Sequence, residues 1–150
     1  MNIREETNLE RNGARGEILV AKILNAIRST NKFDSKKDMT CADGVIVEVK
    51  TQVPWYSQNA FTLDRSKKIN FNKCMDVDRL FFVEVPYRNK GPSIRVYECT
   101  NRRGGWSCTT GSSRRMYCLP IDEMTLFHTE IDQELADLLR ADANSAFSKK

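Results

Sequence analysis

A chain of 150 residues has room for one domain with a real core, and 40% hydrophobic against 29% charged residues excludes a disordered chain. No apolar run approaches the ~20 residues that cross a bilayer, and the polar opening Met1-Asn2-Ile3-Arg4-Glu5-Glu6 lacks a signal-peptide core; an intracellular, cytoplasmic protein away from membranes is expected. The net charge of +4 permits nucleic-acid binding without demanding it.

Residues 1–12 read as a polar arm or a first helical turn. From Gly13 to Ser29, Glu17, Val20, Leu24 and Ile27 recur at helical spacing, and Ile23 widens the stripe. Glu17 shares that stripe and so points toward the body of the protein. It either favours the positive end of the helix or projects into a site. After a polar connection, Lys37 to Lys50 reads as a β-hairpin around the loop Ala42-Asp43-Gly44, with Gly44 in the left-handed conformation such a loop needs. Pairing outward from the loop sets Cys41 against Val45, Thr40 against Ile46, Met39 against Val47 and Asp38 against Glu48. Side-chain alternation then puts Met39, Cys41, Val45, Val47 and Val49 on one apolar face. Asp38, Thr40, Ile46, Glu48, Lys50 and Gln52 share the other, mostly polar face. Two opposed carboxylates repel, and a hard divalent cation such as Mg²⁺ relieves the conflict.

Pro54 ends the pairing. Trp55, Tyr56 and Phe61, set among polar neighbours, either pack on the edge of the core or meet a ligand. Arg65 to Met75 reads as an amphipathic helix, with Ile69 and Cys74 inward and Arg65, Lys67, Lys68 and Lys73 on its charged face. Leu80 to Val85 is a nearly continuous apolar run, hence a central strand. As it follows a helix that follows a strand, it should pair parallel to strand 45–52 by a right-handed crossover. Asn89-Lys90-Gly91-Pro92 is a turn, and Ile94 to Cys99 a further strand.

Residues 101–115 form a long loop or ragged hairpin carrying Arg102, Arg103, Trp106, Arg114 and Arg115. It is the most basic segment, suited to phosphate or groove contact and equally compatible with a solvated loop. Met116 to Leu119 resumes strand character and stops at Pro120. A last helix is expected over about residues 130–143, with Thr129 as its cap, Asp132 completing a capping box and Ile131, Leu135, Leu138 and Leu139 as its stripe. That stripe, with Phe127 beside it, is either core or subunit interface. The cysteines are Cys41, Cys74, Cys99, Cys108 and Cys118, an odd number without CxxC spacing, which reads as reduced thiols. Cys99, Cys108, Cys118 and His128 can be drawn as zinc ligands, but their gaps are irregular, and Cys99 and Cys118 read better as small apolar strand residues.

A helix glutamate, a connection, an aspartate, a short turn and then glutamate-x-lysine form an order that resembles the PD-(D/E)XK, or restriction-endonuclease-like, nuclease superfamily. The matching residues are Glu17, Asp38 and Glu48-Val49-Lys50, and the resemblance spans about residues 13–85. Lys37 stands where that motif has proline, and Asp34 and Asp43 are rivals to Asp38. The resemblance implies an α/β fold with an αβββαβ core, a central mixed sheet flanked by helices. Here that is a single nuclease domain over 1–150, with its core at about 13–99, the basic loop at 101–115 and a C-terminal strand, loop and helix extension.

The activity implied is Mg²⁺-dependent hydrolysis of phosphodiester bonds in double-stranded DNA, with Mn²⁺ able to substitute and no small-molecule cofactor. In that reading Glu17, Asp38, Glu48 and Lys50 are catalytic. Asp38, Glu48 and the backbone carbonyl of Val49 hold the metal, and Glu17 holds a second metal or a metal-bound water. Lys50 orients or deprotonates the attacking water and stabilises charge on the phosphate. Gln52, Lys67, Lys68, Arg102, Arg103, Arg114 and Arg115 contact DNA. Because one such site cuts one strand, a homodimer or homotetramer is expected. Within this class a site-specific homing or restriction enzyme leads, and a Holliday-junction resolvase is the nearest rival. The contrasting class is a non-catalytic DNA-binding module, in which the acids and the lysine form a structural ion-pair network.

Overall fold

The computed structural model describes residues 8–28, 39–109 and 115–143. The hairpin forms as its sequence dictates. Strands β2 (Met39–Thr40) and β3 (Ile46–Gln52) pair antiparallel with Thr40 opposite Ile46 and Met39 opposite Val47. Gly44 takes a φ of 86°, the Cys41 N–H donates to the Val45 carbonyl at 2.9 Å, and Asp43 Oδ1 accepts from the Val45 N–H at 3.1 Å. Around this hairpin lie helix α1 (Asn8–Leu24) and strand β1 (Ile27–Arg28) before it. After it come β4 (Ala60–Asp64), α2 (Lys68–Asp76), β5 (Arg79–Glu84), β6 (Ser93–Glu98), β7 (Trp106–Thr109), β8 (Arg115–Pro120), β9 (Thr125–Ile131) and α3 (Gln133–Ala141).

Six strands make a mixed central sheet in the order β1-β2-β3-β5-β6-β9, and three make a second sheet, β4-β8-β7. Among the described residues only β3 and β5 pair parallel, Val47 opposite Arg79 through Gln52 opposite Glu84, which is the parallel pairing expected. Alternation along the strands divides the core in two. Val47, Val49, Phe81, Val83, Ile94 and Val96 face one way and pack with Leu19 and Val20 of α1 and Ala136 and Leu139 of α3. Leu80, Phe82 and Tyr97 face the other way, onto Phe61 and Leu63 of β4, Leu119 of β8 and Cys74 of α2. The molecule is therefore α/β, with α1 and α3 on one face of the central sheet and α2 with the small sheet on the other. Among the described residues no helix is long and apolar enough to cross a membrane.

Four expectations change. Helix α1 begins at Asn8, ahead of Gly13, where the periodic stripe starts. Gly16 lies within the helix because a Cβ there would overlap Thr51 Oγ1 on β3. Residues 60–64 form a strand, since Phe61 and Leu63 are buried and alternate with Thr62 and Asp64; Phe61 stacks on Phe82 with centroids 4.7 Å apart. Trp106–Thr109 is also a strand and pairs antiparallel with β8, as the hairpin alternative for the basic segment requires. The last helix starts at Gln133 rather than near 130. Thr129 belongs to β9, which pairs with β6, and Asp132 alone caps α3 by accepting from the Leu135 N–H at 3.0 Å. With Ala136 and Leu139 in the main core, α3 is core and not an appended extension.

Candidate active site

Glu48 stands in the middle of β3 on the face turned toward α2, with 1% of its surface exposed. An isolated carboxylate in such a place is costly, so it needs charged partners. Lys50 Nζ lies 3.4 Å from Oε2, and Lys73 Nζ, from the last turn of α2, lies 3.2 Å from Oε1. The Cys74 thiol donates to Oε2 at 3.9 Å. The two lysines differ in access: the Lys50 side chain is 30% exposed and that of Lys73 10%. The site is thus a buried carboxylate between two ammonium groups, one of which reaches solvent.

Lys73 departs from the charged helix face on which its spacing predicts it. It sits one residue from the inward Cys74, at the margin of the buried face, and only the β3–β5 pairing that lays α2 over β3 makes its partner visible. Glu17 lies elsewhere. Helix α1 packs on the opposite face of the sheet from the Glu48 carboxylate, and Glu17 Oε1 accepts from Arg28 Nη2 at 3.0 Å. Among the described residues, Glu17 does not join Glu48 and Lys50. Asp38, the expected first metal ligand, and its rival Asp34 lie outside the described residues. The other rival, Asp43, is at the exposed hairpin tip, where its Oδ1 closes the turn. The side chain of Val49 is in the core on the α1 side.

The proposed DNA contacts separate into two kinds. Gln52 is committed within the fold: its Nε2 donates to the Thr62 carbonyl at 2.9 Å and its Oε1 accepts from the Thr62 N–H at 2.8 Å, tying β3 to β4. These bonds use one of its two amide N–H groups and fix the side chain against β4. Arg102 is also committed, since its Nη1 donates to the carbonyls of Met75 (2.9 Å) and Val77 and so satisfies the end of α2. Lys67, Lys68, Arg103 and Arg115 are exposed, and Arg114 lies outside the described residues.

Among the described residues no three His, Cys, Asp or Glu side chains come together in a group able to hold a metal ion. The four-ligand zinc arrangement is not assembled. Cys99 is in the second core and His128 Nε2 is 2.8 Å from Glu130, while Cys108 and Cys118 are neighbours at 3.7 Å. None of the five cysteines is joined in a disulfide among the described residues. A second buried acid escaped the sequence reading. Glu84 lies on the same face as Glu48, 7% exposed, with Arg95 at 3.2 Å. Burial pushes its carboxyl up from the ordinary value, and the Arg95 guanidinium pulls it only partly back. Compared with protein-family models and with curated proteins, the chain matches none.

Proposed function

We propose that the chain is a DNA endonuclease of the PD-(D/E)XK type, hydrolysing phosphodiester bonds at a site centred on Glu48 and Lys50. One observation carries this reading: a carboxylate buried to 1% exposure within a strand, with the lysine two residues along that strand at 3.4 Å and open to solvent. In support, α1, β1, β2, β3, α2 and β5 follow the αβββαβ order of that superfamily, with β1, β2, β3 and β5 adjacent in one sheet and β4 an added strand that pairs with β8 instead.

In this reading Lys50 Nζ meets the non-bridging oxygens of the scissile phosphate and holds the attacking water beside them. Glu48 fixes that ammonium in place from below. Lys73 offsets the second oxygen of Glu48 and closes the floor of the site against solvent. A divalent cation, when bound, supplies Lewis acidity toward the phosphate. The described residues do not by themselves fit it. They offer the Glu48 carboxylate and the Val49 carbonyl, Glu17 is on the other face, and lysines stand on the oxygens the cation would take. The Mg²⁺ requirement therefore rests on the resemblance, with Asp38 as the remaining donor. A double-strand cutter of the homing or restriction kind then works as two or four copies.

The test is cleavage of duplex, four-way-junction and single-stranded DNA with Mg²⁺, Mn²⁺ or chelator. Lys50→Ala and Glu48→Gln are expected to cut at least ~100-fold more slowly, with duplex binding in Ca²⁺ retained. Undiminished cutting by both variants would remove Glu48 and Lys50 from catalysis. A second reading, a DNA-binding module without catalysis, is favoured by the lysines that already engage both oxygens of Glu48. It predicts binding without cleavage in every metal.

A further inference from the structure

A cleft of about 270 Å³ opens on the small sheet, lined by Arg65, Ser107, Cys108, Thr109 and Arg115. Its two arginines are locked side by side. The Arg65 N–H donates to the Arg115 carbonyl at 2.8 Å, extending the β4–β8 ladder one residue past the Asp64–Met116 pair. Like charges set opposite each other on neighbouring strands repel. Among the described residues no carboxylate lines the cleft and neither arginine has an ion pair. Arg65 is nevertheless held in position. Its Nη1 donates to Ser107 Oγ at 2.7 Å, and its guanidinium lies 5.5 Å from the centre of the Phe71 ring. The rest of its donor fork remains available, as does that of the exposed Arg115, and the Ser107 and Thr109 hydroxyls stand on the same rim. Convergent guanidinium forks with hydroxyls beside them match the several oxygens of a phosphate group.

We infer that this cleft is a phosphate-binding subsite that holds a backbone phosphate of duplex DNA, at the end of α2 away from Lys73. Helix α2 begins at Lys68, three residues after Arg65, and brings Lys73 to Glu48 in its last turn. One short helix thus spans from the cleft to the candidate active site. The DNA identity of the ligand rests on the nuclease reading; the phosphate chemistry does not. An open surface cleft with exposed arginines suits a phosphate carried by a polymer more than a free anion, which is commonly enclosed.

The test is fluorescence anisotropy with a labelled duplex in Ca²⁺ over a salt series, on the wild type, Arg65→Gln/Arg115→Gln and each single variant. The double variant is expected to bind roughly threefold to tenfold more weakly, with a slope of log affinity against log salt smaller by about 1, one phosphate's share. Each single variant should fall between. Circular dichroism melts confirm that the surface changes leave the fold intact, and Arg65→Lys/Arg115→Lys should keep the salt slope. Affinity within twofold of wild type with an unchanged slope would overturn the subsite, as would a wild type that binds no duplex. A parallel arm titrates inorganic phosphate by ³¹P NMR. Saturation by free phosphate in the wild type, lost in the double variant, with duplex binding unaffected, would replace DNA with a free anion and overturn the DNA assignment. Undiminished cleavage by the Lys50 and Glu48 variants would defeat the catalytic assignment yet leave the salt-slope result standing, so the two failures are distinguishable.

Discussion

Glu48 and Glu84 are both acids on one face of the central sheet, yet they answer burial differently. Glu48 has two ammonium groups at its oxygens, while Glu84 has one guanidinium, from an Arg95 side chain that is itself 49% exposed. The carboxyl of Glu84 is consequently raised above its ordinary 4.5, with desolvation outweighing Arg95. The folded protein then binds that proton more tightly than the unfolded chain does. The Glu84 contribution to stability therefore grows as pH falls from neutral through its folded pKa, and is lost as pH rises through it. Glu84→Gln, fixed in the neutral form, is expected to flatten the stability profile from about pH 4.5 upward. Urea denaturation across that range checks it, and an unchanged pH slope would count against the burial cause. At this scale the sequence was legible wherever spacing alone decides. Residues 48 and 50 must share a face of a strand. Lys73 and Glu84 were not legible, because their partners come from elements distant in the chain.

The elements were read best where one period dominates. The hairpin 39–52 has a period-two pattern and a loop of fixed chemistry, and it forms in the expected register. Strand β9 was mistaken for the approach to a helix because Thr129 and Asp132 imitate a capping box, and pairing with β6 decides the matter instead. The small sheet went largely unseen, since β4 is only five residues long and its partner β8 lies far along the chain. Helix α1 carries a constraint that composition does not reveal. At Gly16 it meets β3 so closely that any side chain would strike Thr51 Oγ1, a buried hydroxyl without a hydrogen-bond partner among the described residues. Gly16→Ala is expected to destabilise by about 1–3 kcal/mol through separation of helix and strand. Adding Thr51→Ala should recover part of that loss, because it removes the first atom in the way. Urea midpoints of the two single variants and the double give the coupling, and strict additivity would contradict the close approach.

For the whole molecule, the α/β class with a mixed central sheet was legible from strand, helix and buried strand in succession. The assignment of faces was not. Placing α1 opposite Glu48 separates Glu17 from the proposed centre and leaves α2 as the helix that completes it. A nuclease with one such centre per chain, making double-strand breaks, should sediment as a dimer or tetramer on DNA. Analytical ultracentrifugation with a cleavable duplex checks this; a monomer making both cuts in one encounter would contradict it.

The clasp of Arg102 on the last carbonyls of α2 has a mechanical consequence. Helix ends ordinarily fray, and Lys73 rides on the last turn. That turn is anchored to the loop ahead of β7, and the Arg102 carbonyl accepts in turn from the Tyr117 hydroxyl at 2.8 Å, so β8 is linked to the turn that carries Lys73. Opening of the small sheet at this end is therefore expected to loosen the ammonium behind Glu48, since the Arg102 clasp and the edge contact of Phe71 with Tyr117 both tie α2 to it.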